Sequence, residues 1–126
     1  MTINIPLKTP PKKNSQQIIW RNNKATIIQS KQYLSFEQKC GYFLKSYARG
    51  ITTPVNLKCT FFVPDKRKRD LVNLLNAIQD VLVKYNVIAD DNYNIVASVD
   101  GSRIVYEQGR EETIIEIKEL LNGKNI

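Results

Sequence analysis

The sequence predicts a single α+β domain in which one mixed β-sheet packs against two helices. The chain has 126 residues, which is enough for one modest hydrophobic core and too few for two. In two segments the apolar residues recur at helical spacing. Segments with the apolar pattern of strands precede the first of them, separate the two and follow the second. No internal repeat, low-complexity tract or linker divides the chain, so we assign residues 1–126 to one domain.

Three short strands are predicted at the start of the chain. Thr2–Leu7 alternates apolar and polar residues, and the Pro10-Pro11 pair follows it. Two further apolar runs, at residues 18–20 and 25–28, flank the segment Arg21–Lys24. Because that segment contains two adjacent asparagines, the two runs are predicted to form a hairpin with an asparagine-rich turn.

Two helices are predicted from capping residues and apolar periodicity. Ser30 is a typical N-cap, and the helix that it begins reaches Tyr47 or Ala48. Asp70 begins the second helix, which extends to about Tyr85 with its apolar residues on one face.

A long strand is predicted between the helices, and three more strands follow the second helix. The strand at residues 55–63 alternates apolar side chains and ends at Pro64. After a polar loop at residues 90–92, the remaining strands are predicted at Asn94–Val99, Arg103–Glu107 and Thr113–Leu120.

Histidine is absent from the sequence, which excludes several chemistries. A Ser-His-Asp triad, a His-ligated zinc site and imidazole acid–base catalysis are ruled out. Hydrolysis would therefore depend on carboxylates, on lysine or tyrosine, or on a hard metal ion held by oxygen ligands. Cys40 and Cys59 lack the spacing of a metal site, and we interpret them as reduced, packed thiols rather than as a disulfide.

The charge is unevenly distributed along the chain. The net charge is +7, but residues 1–69 carry 14 Lys and Arg against two acidic residues, whereas residues 70–126 carry five against ten. This pattern fits a phosphate-binding surface next to metal-binding carboxylates, although a merely basic soluble protein would show it too. No apolar run approaches the roughly 18 residues of a membrane helix. The first residues lack the apolar core of a signal peptide, so we expect a cytoplasmic protein with no membrane partner.

Residues 66–91 hold the candidate active site. A basic run precedes Asp70 at the start of the second helix, and Asp90-Asp91 follows that helix. If the chain reverses alongside the helix, the three carboxylates meet at one edge. Mg²⁺ is usually held by one or two carboxylates with waters and substrate phosphate, so this set would suffice. Asn73 lies one turn from Asp70 and could contact the same ion or its waters.

Each of these elements also has a simpler interpretation. Asp70 could cap the helix, the segment at residues 90–92 could be a polar turn, and the basic run at residues 66–69 could be a solvated surface. Asp80 lies ten residues beyond Asp70, roughly 15 Å along the helix, so it cannot share the same ion. We expect Asp80 to form a salt bridge or face solvent. The occurrence of the other three elements together favours a site.

The segment around the second helix resembles the signature of the RusA-type Holliday-junction resolvases. That signature is a basic residue, then D-L-D-N-L-x-K-A, an aspartate and a leucine further along the helix, and D-D. The resemblance is strongest over residues 62–91 and weaker elsewhere, and the early Pro10-Pro11 loop is similar too. Nine residues are in register without a gap: Asp70, Leu71, Asn73, Leu74, Ala77, Asp80, Leu82, Asp90 and Asp91.

Two residues depart from the signature. Val72 stands where the family usually has its second helix-start aspartate, and Asn76 stands where it usually has a lysine. Valine cannot bind Mg²⁺ and asparagine cannot supply a positive charge, so we expect Lys68 or Arg69 to replace the missing cation. The retained aspartates favour an active variant.

The resemblance implies a RusA-like fold and a homodimer with two active sites. Each site would cut one of two opposed strands of a four-way DNA junction by Mg²⁺-dependent phosphodiester hydrolysis, with Mn²⁺ as a substitute and no small-molecule cofactor. It implies that Asp70, Asp90 and Asp91 are catalytic and hold the metal, assisted by Asn73. Such proteins are often encoded by phages or prophages. Phosphates would be bound by Lys12, Lys13, Lys66, Arg67, Lys68 and Arg69.

Two other functions remain open from the sequence. A catalytically inactive junction-binding module of the same fold would bind four-way DNA with little dependence on metal. A basic RNA-binding protein is the third alternative, although no RNP-type or KH-type motif is present.

Overall fold

The structure is a computed structural model that describes residues 1–12 and 16–120, without the side chains of Gln16, Gln17 and Ile27. It confirms the predicted α+β class. A short 3₁₀ turn at Lys45–Tyr47 follows the first helix. The elements are β1 (Thr2–Ile5), β2 (Gln16–Arg21), β3 (Lys24–Gln29), α1 (Lys31–Leu44), β4 (Val55–Val63), α2 (Leu71–Lys84), β5 (Val96–Ser98), β6 (Arg103–Tyr106) and β7 (Glu112–Glu119).

The main sheet is mixed and is centred on β4. Strand β7 pairs antiparallel with one edge of β4, and β1 pairs antiparallel with β7. On the other edge, β5 and β6 pair parallel with different parts of β4: Val96 lies beside Val55 at its start, and Tyr106 lies beside Val63 at its end. Because β4 is a central strand with a helix layer against it, most of its residues are buried.

The hairpin β2–β3 forms as predicted, but it forms a separate two-stranded sheet. Asn22 and Asn23 have φ values of 52° and 63°, the backbone of a tight hairpin turn that asparagine tolerates. Ile18 and Trp20 are 67% and 73% exposed, so these two apolar residues of β2 do not contribute to the core. Two apolar runs around a turn predict a hairpin but not the sheet that it joins.

Both helices begin at the predicted capping residues. The Ser30 hydroxyl accepts a hydrogen bond from the backbone N–H of Tyr33, and Asp70 caps α2. Strand β1 ends at Ile5 rather than Leu7, because Pro6 has no N–H with which to continue the ladder.

None of the described helices is long and apolar enough to cross a membrane. The core is formed by side chains that include Ile3, Ile5, Phe36, Leu44, Leu57, Phe61, Ile78, Leu82, Ile115 and Ile117.

The two cysteines are free and buried, as predicted from the sequence. Burial raises the pKa of the Cys59 thiol to about 12. Burial, together with the nearby carboxylate of Glu37, raises the pKa of Cys40 to about 12. Folding therefore stabilises the neutral thiols relative to thiolates. This contribution to stability is present below pH 9, the usual value for an unfolded thiol, and is lost as the pH rises towards 12.

We expect neither thiol to react with a disulfide reagent at pH 8 while the chain is folded. Both should react once guanidinium unfolds it, because the thiolate is the reactive form and native Cys40 and Cys59 are buried and protonated. The variant Tyr42→Cys, which places a thiol at a 74% exposed position, provides the positive control. Rapid labelling of both native cysteines would contradict the packing described here.

Candidate active site

Asp70 lies at the junction between the end of β4 and the start of α2. Its Oδ1 atom accepts hydrogen bonds from the backbone N–H groups of Val72, at 2.9 Å, and Asn73, at 3.4 Å. The capping role considered from the sequence is therefore present. Both bonds involve Oδ1, and no residue in the described part of the chain hydrogen-bonds to Oδ2. The cap fixes the carboxylate while leaving one oxygen for a ligand.

Asp70 borders a cavity of about 450 Å³, which we call the Asp70 cavity. Its walls come from the N-terminal segment, the loop between β4 and α2, and the first turn of α2. Four of the nine lining residues are basic, which makes the cavity suitable for an anionic ligand. The lining residues are Lys8, Thr9, Pro11, Arg67, Lys68, Arg69, Asp70, Asn73 and Leu74.

Arg69 holds the loop that forms one wall of the cavity. Its side chain is only 14% exposed, and Nη2 lies 2.8 Å from the Asp65 carboxylate. Nη1 donates to the carbonyl oxygens of Asp65 and Arg67 at 3.2 and 3.0 Å. Asp65 also accepts from the backbone N–H of Arg67, and this bond, followed by the Arg69 contacts, lowers the pKa of Asp65. Both terminal nitrogens of the Arg69 guanidinium therefore have partners within the loop.

The other predicted phosphate-binding residues of this loop differ in their contacts with the rest of the chain. The Lys66 ammonium lies 5.2 Å from the centre of the Tyr106 ring, a cation–π contact. The Nε atom of Arg67 lies 3.6 Å from Asp65, although most of the Arg67 side chain is exposed. Lys68 forms no hydrogen bond or ion pair with any residue that the structure describes. Among the predicted cations that line the cavity, Lys68 is thus the most available.

Lys8 is a cavity residue that the sequence analysis missed. It is exposed and lines the Asp70 cavity together with residues of the β4–α2 loop. The neighbouring Thr9 side chain is buried and hydrogen-bonds to Thr113 of β7 at 2.9 Å, which fixes this segment against the sheet. The signal available in the sequence was its position just before the Pro10-Pro11 pair, in the same basic segment as Lys12.

Asp80 forms a salt bridge, as predicted. Its Oδ1 lies 2.9 Å from the ammonium of Lys12, and its Oδ2 accepts a hydrogen bond from the Tyr33 hydroxyl at 2.9 Å. Burial and this bond to Asp80 raise the pKa of Tyr33 above its usual value. Lys12, which is predicted to bind phosphate, has an acidic partner within the chain. The predicted contact residue Lys13 lies outside the described residues.

Asp90 and Asp91 lie in an exposed polar turn before β5. The Asp90 carboxylate accepts from the backbone N–H of Asp91 at 2.7 Å and from the side-chain amide of Asn92 at 3.2 Å. No hydrogen bond or ion pair to the Asp91 carboxylate occurs among the residues described. The turn thus fixes Asp90 and presents Asp91 to solvent.

The structure does not bring this turn to Asp70 within one chain. Strand β4, helix α2 and strand β5 form a βαβ unit, in which the loops before and after the helix lie at opposite ends. The backbone N–H of Val55, at the start of β4, donates to the carbonyl of Ile95 at 2.8 Å, so the chain just after the Asp90–Asp91 turn lies at the start of β4. Asp70, by contrast, follows the end of β4. The 14 residues of α2 span about 21 Å. Across residues 1–12 and 16–120, no three Asp, Glu, His or Cys side chains are grouped to hold a metal.

The expectation that three carboxylates meet at one edge is therefore not fulfilled within one protomer. The chain does reverse after α2, as predicted. The reversal occurs at the end of the helix that is distant from Asp70, so it does not bring Asp90 and Asp91 back to Asp70. Val72, beside Asp70, is 63% exposed and contributes no oxygen ligand. Asn73 is nearly buried and lines the cavity. The Asp70 cavity thus offers one carboxylate and one amide from a single chain.

An α+β domain with a basic cavity around a helix-start carboxylate is a candidate nucleic-acid-processing protein. The chain matches the family described as endodeoxyribonuclease RusA over residues 8–118. It is 27% identical over 113 residues to a crossover junction endodeoxyribonuclease RusA of Aquifex aeolicus (strain VF5), covering 88% of this chain and 86% of that protein. The chain therefore belongs to the RusA family of Holliday-junction resolvase nucleases, and the resemblance noted in the sequence is confirmed.

We expect Lys68 and Arg69 to differ when each is replaced by alanine. Lys68→Ala should leave the free energy of unfolding within about 0.5 kcal/mol of the parent value and reduce the salt dependence of DNA binding by about one counterion. Arg69→Ala should lower the free energy of unfolding by about 1–3 kcal/mol, because it removes donors to a carboxylate and two carbonyls. Chemical denaturation and salt-dependent binding titrations measure both effects. A destabilised Lys68→Ala beside an unchanged Arg69→Ala would contradict these roles.

Proposed function

We propose that this protein is a Mg²⁺-dependent endonuclease that resolves four-way DNA junctions as a homodimer by paired nicking. The observation that carries the proposal is the Asp70 carboxylate, which is fixed through Oδ1 and has Oδ2 free at a basic cavity. Such a nuclease would act in recombination and repair of DNA in the bacterial cytoplasm, that of the host if a phage encodes it.

Binding of the DNA backbone would depend on the free lysines of the cavity. Lys8 and Lys68 line it from two different segments of the chain and have no acidic partner among the described residues. Arg67 is exposed at the same loop and could add a further contact. Contacts of this kind go to phosphate and carry no sequence information, which suits an enzyme that selects DNA by shape.

The donors in the cavity fit a hard divalent metal ion. Asp70 would supply Oδ2 and Asn73 its side-chain carbonyl oxygen, and water and substrate phosphate usually complete the coordination of Mg²⁺. Mn²⁺ accepts the same oxygen ligands. The bound ion would activate a water and neutralise charge on the scissile phosphate. Because two backbone N–H groups hold Oδ1, the Asp70 carboxylate needs little reorganisation to present Oδ2.

A homodimer would bring the missing carboxylates to the cavity. In an isologous dimer, any contact from one protomer to the other is repeated by the two-fold axis. If the Asp90–Asp91 turn of one protomer sits at the Asp70 cavity of its partner, both cavities are completed together. Asp91 is exposed and without a hydrogen-bond or ionic partner among the described residues, as such a role requires. Two identical sites related by a two-fold axis also match the two opposed strands of a four-way junction.

Lys68 is the residue best placed to replace the family's helix lysine, where this chain has Asn76. Lys68 lines the cavity two residues before Asp70, whereas the Arg69 guanidinium forms an ion pair with Asp65. Lys68 would therefore neutralise the phosphate that Asn76 cannot.

We expect the purified protein to introduce paired symmetric nicks into a labelled mobile four-way junction in the presence of Mg²⁺, and none in its absence. Loss of an outer-shell partner of a metal costs roughly 10- to 100-fold in activity, so Asp70→Asn, which alters a direct ligand, should cost at least that much. Junction binding by Asp70→Asn should be equal or tighter, because a negative charge is removed. Glu111→Gln, an exposed substitution with the same change in charge, is the matched control and should cut normally.

Two results would contradict the proposal. Tight junction binding without cleavage, even with Mn²⁺, would indicate a binding module that lost its chemistry with the aspartate and lysine replaced by Val72 and Asn76. Preference for duplex RNA over four-way DNA in competition would indicate an RNA-binding protein instead.

A further inference from the structure

The hairpin β2–β3 is a surface arm that the proposed chemistry does not use. It pairs only with itself, outside the main sheet. Trp20 on this arm is 73% exposed and Ile18 is 67% exposed. Exposed tryptophan is uncommon on a soluble protein, and a patch of this kind usually marks a contact site.

The two faces of the arm differ in chemistry. Successive residues of a strand point to opposite faces, so Ile18 and Trp20 share one face and Arg21 lies on the other. Trp20 stands opposite Ala25, a methyl group that leaves the indole uncovered, and Arg21 stands opposite Lys24. The segment at residues 16–29 contains no acidic residue. Ile19 and Ile28 lie on the same face as Arg21 and Lys24, so the arm presents Trp20 on one face and a mixed apolar and cationic surface on the other.

The C-terminal end of the arm is linked to helix α2, the helix that Asp70 caps. Lys12 precedes the arm and Tyr33 follows it, and both side chains bind the Asp80 carboxylate. Ser30, where the arm ends, caps α1 through the N–H of Tyr33. Asp80 is ten residues from Asp70, roughly 15 Å along the helix. The end of β3 therefore leads directly into helix α1, whose Tyr33 is hydrogen-bonded to α2.

We propose that this arm recognises the branch point of DNA: Trp20 stacks on an unpaired or unstacked base while Arg21 and Lys24 bind the neighbouring backbone. The proposal rests on the proposed function of the Asp70 cavity and adds the feature of DNA that the protein selects. In a linear duplex every base face is covered by its neighbours, whereas bases at a branch point can be exposed. Aromatic side chains stack on any base, and flanking cations bind the phosphates, so this recognition is independent of sequence.

DNA fits the arm better than a second copy of this chain does. A buried tryptophan covers about 150–250 Å², whereas a stable interface needs about 800 Å² from each partner. The opposite face carries Arg21 and Lys24 without an acidic residue in the arm, which favours a polyanion.

Intrinsic fluorescence tests the proposal directly, because Trp20 is the single tryptophan of the chain. The full-length protein is titrated with a four-way junction, and separately with a linear duplex of the same arm sequence, in EDTA so that no strand is cut. We expect the junction to quench Trp20 and to protect it from acrylamide. The duplex should do neither when it occupies the protein to the same extent, which a dye-labelled duplex verifies.

Affinity measurements with variants complete the test. Replacing an aromatic residue that stacks on a base with alanine typically lowers the binding affinity by roughly 5- to 100-fold. Trp20→Ala should weaken junction binding by that factor and leave duplex binding unchanged, and Trp20→Phe should retain most of the affinity. Tyr42→Ala, which removes a similarly exposed aromatic ring from α1, should have no effect. Circular dichroism confirms that each variant is folded.

The outcomes separate this proposal from the function on which it rests. If the parent protein binds and cuts the junction while Trp20→Ala binds it equally well, the arm proposal is wrong and the nuclease proposal stands. A Trp20 signal that changes with protein concentration without DNA, together with a monomeric Trp20→Ala, would assign the arm to the dimer interface instead. Failure of the parent protein to prefer junction over duplex would overturn both proposals.

Discussion

The parallel pairing of β5 with β4 is the constraint on which the site depends. Because α2 must cross the full length of the sheet before the chain can return in the same direction, it carries the chain from Asp70 at one end to Asp90-Asp91 at the other. The helix is fixed in this position by buried residues such as Ile78 and Leu82. No local rearrangement of the two loops can shorten a separation that the core itself sets.

Hydrogen bonds and ion pairs decide which charged residues remain available. The basic run before α2 reads as uniform in the sequence, but Arg69 is bound to Asp65 while Lys68 is free. Lys12 is paired with Asp80, an acidic residue 68 positions away. The positive field of the Asp70 cavity therefore comes from fewer cations than the composition indicates, and one of them, Lys8, belongs to a different segment. The Lys12–Asp80 pair also includes Tyr33, whose hydroxyl donates to the same carboxylate.

Features encoded locally were predictable from the sequence, and features that depend on strand pairing were not. The bounds of α2 follow from Asp70 as an N-cap and from apolar periodicity, and the hairpin turn follows from Asn22-Asn23. To predict the separation of Asp70 from the Asp90–Asp91 turn, one must know that β5 pairs in parallel with β4. No residue in the loop specifies that pairing. Likewise, the apolar runs that predicted β2 and β3 do not reveal that Trp20 faces solvent.

The central claim is that each active site takes Asp70 from one protomer and Asp91 from the other. The direct test is to refold Asp70→Asn and Asp91→Asn together in equal amounts and to measure Mg²⁺-dependent nicking of a four-way junction. Each variant alone should be inactive. In a mixed dimer one site carries both substitutions and the other carries neither, so about a quarter of all sites should be active and should give single nicks rather than paired cuts. Inactivity of the mixture, with mixed dimers verified, would contradict the claim, because it would mean that both aspartates act within one chain.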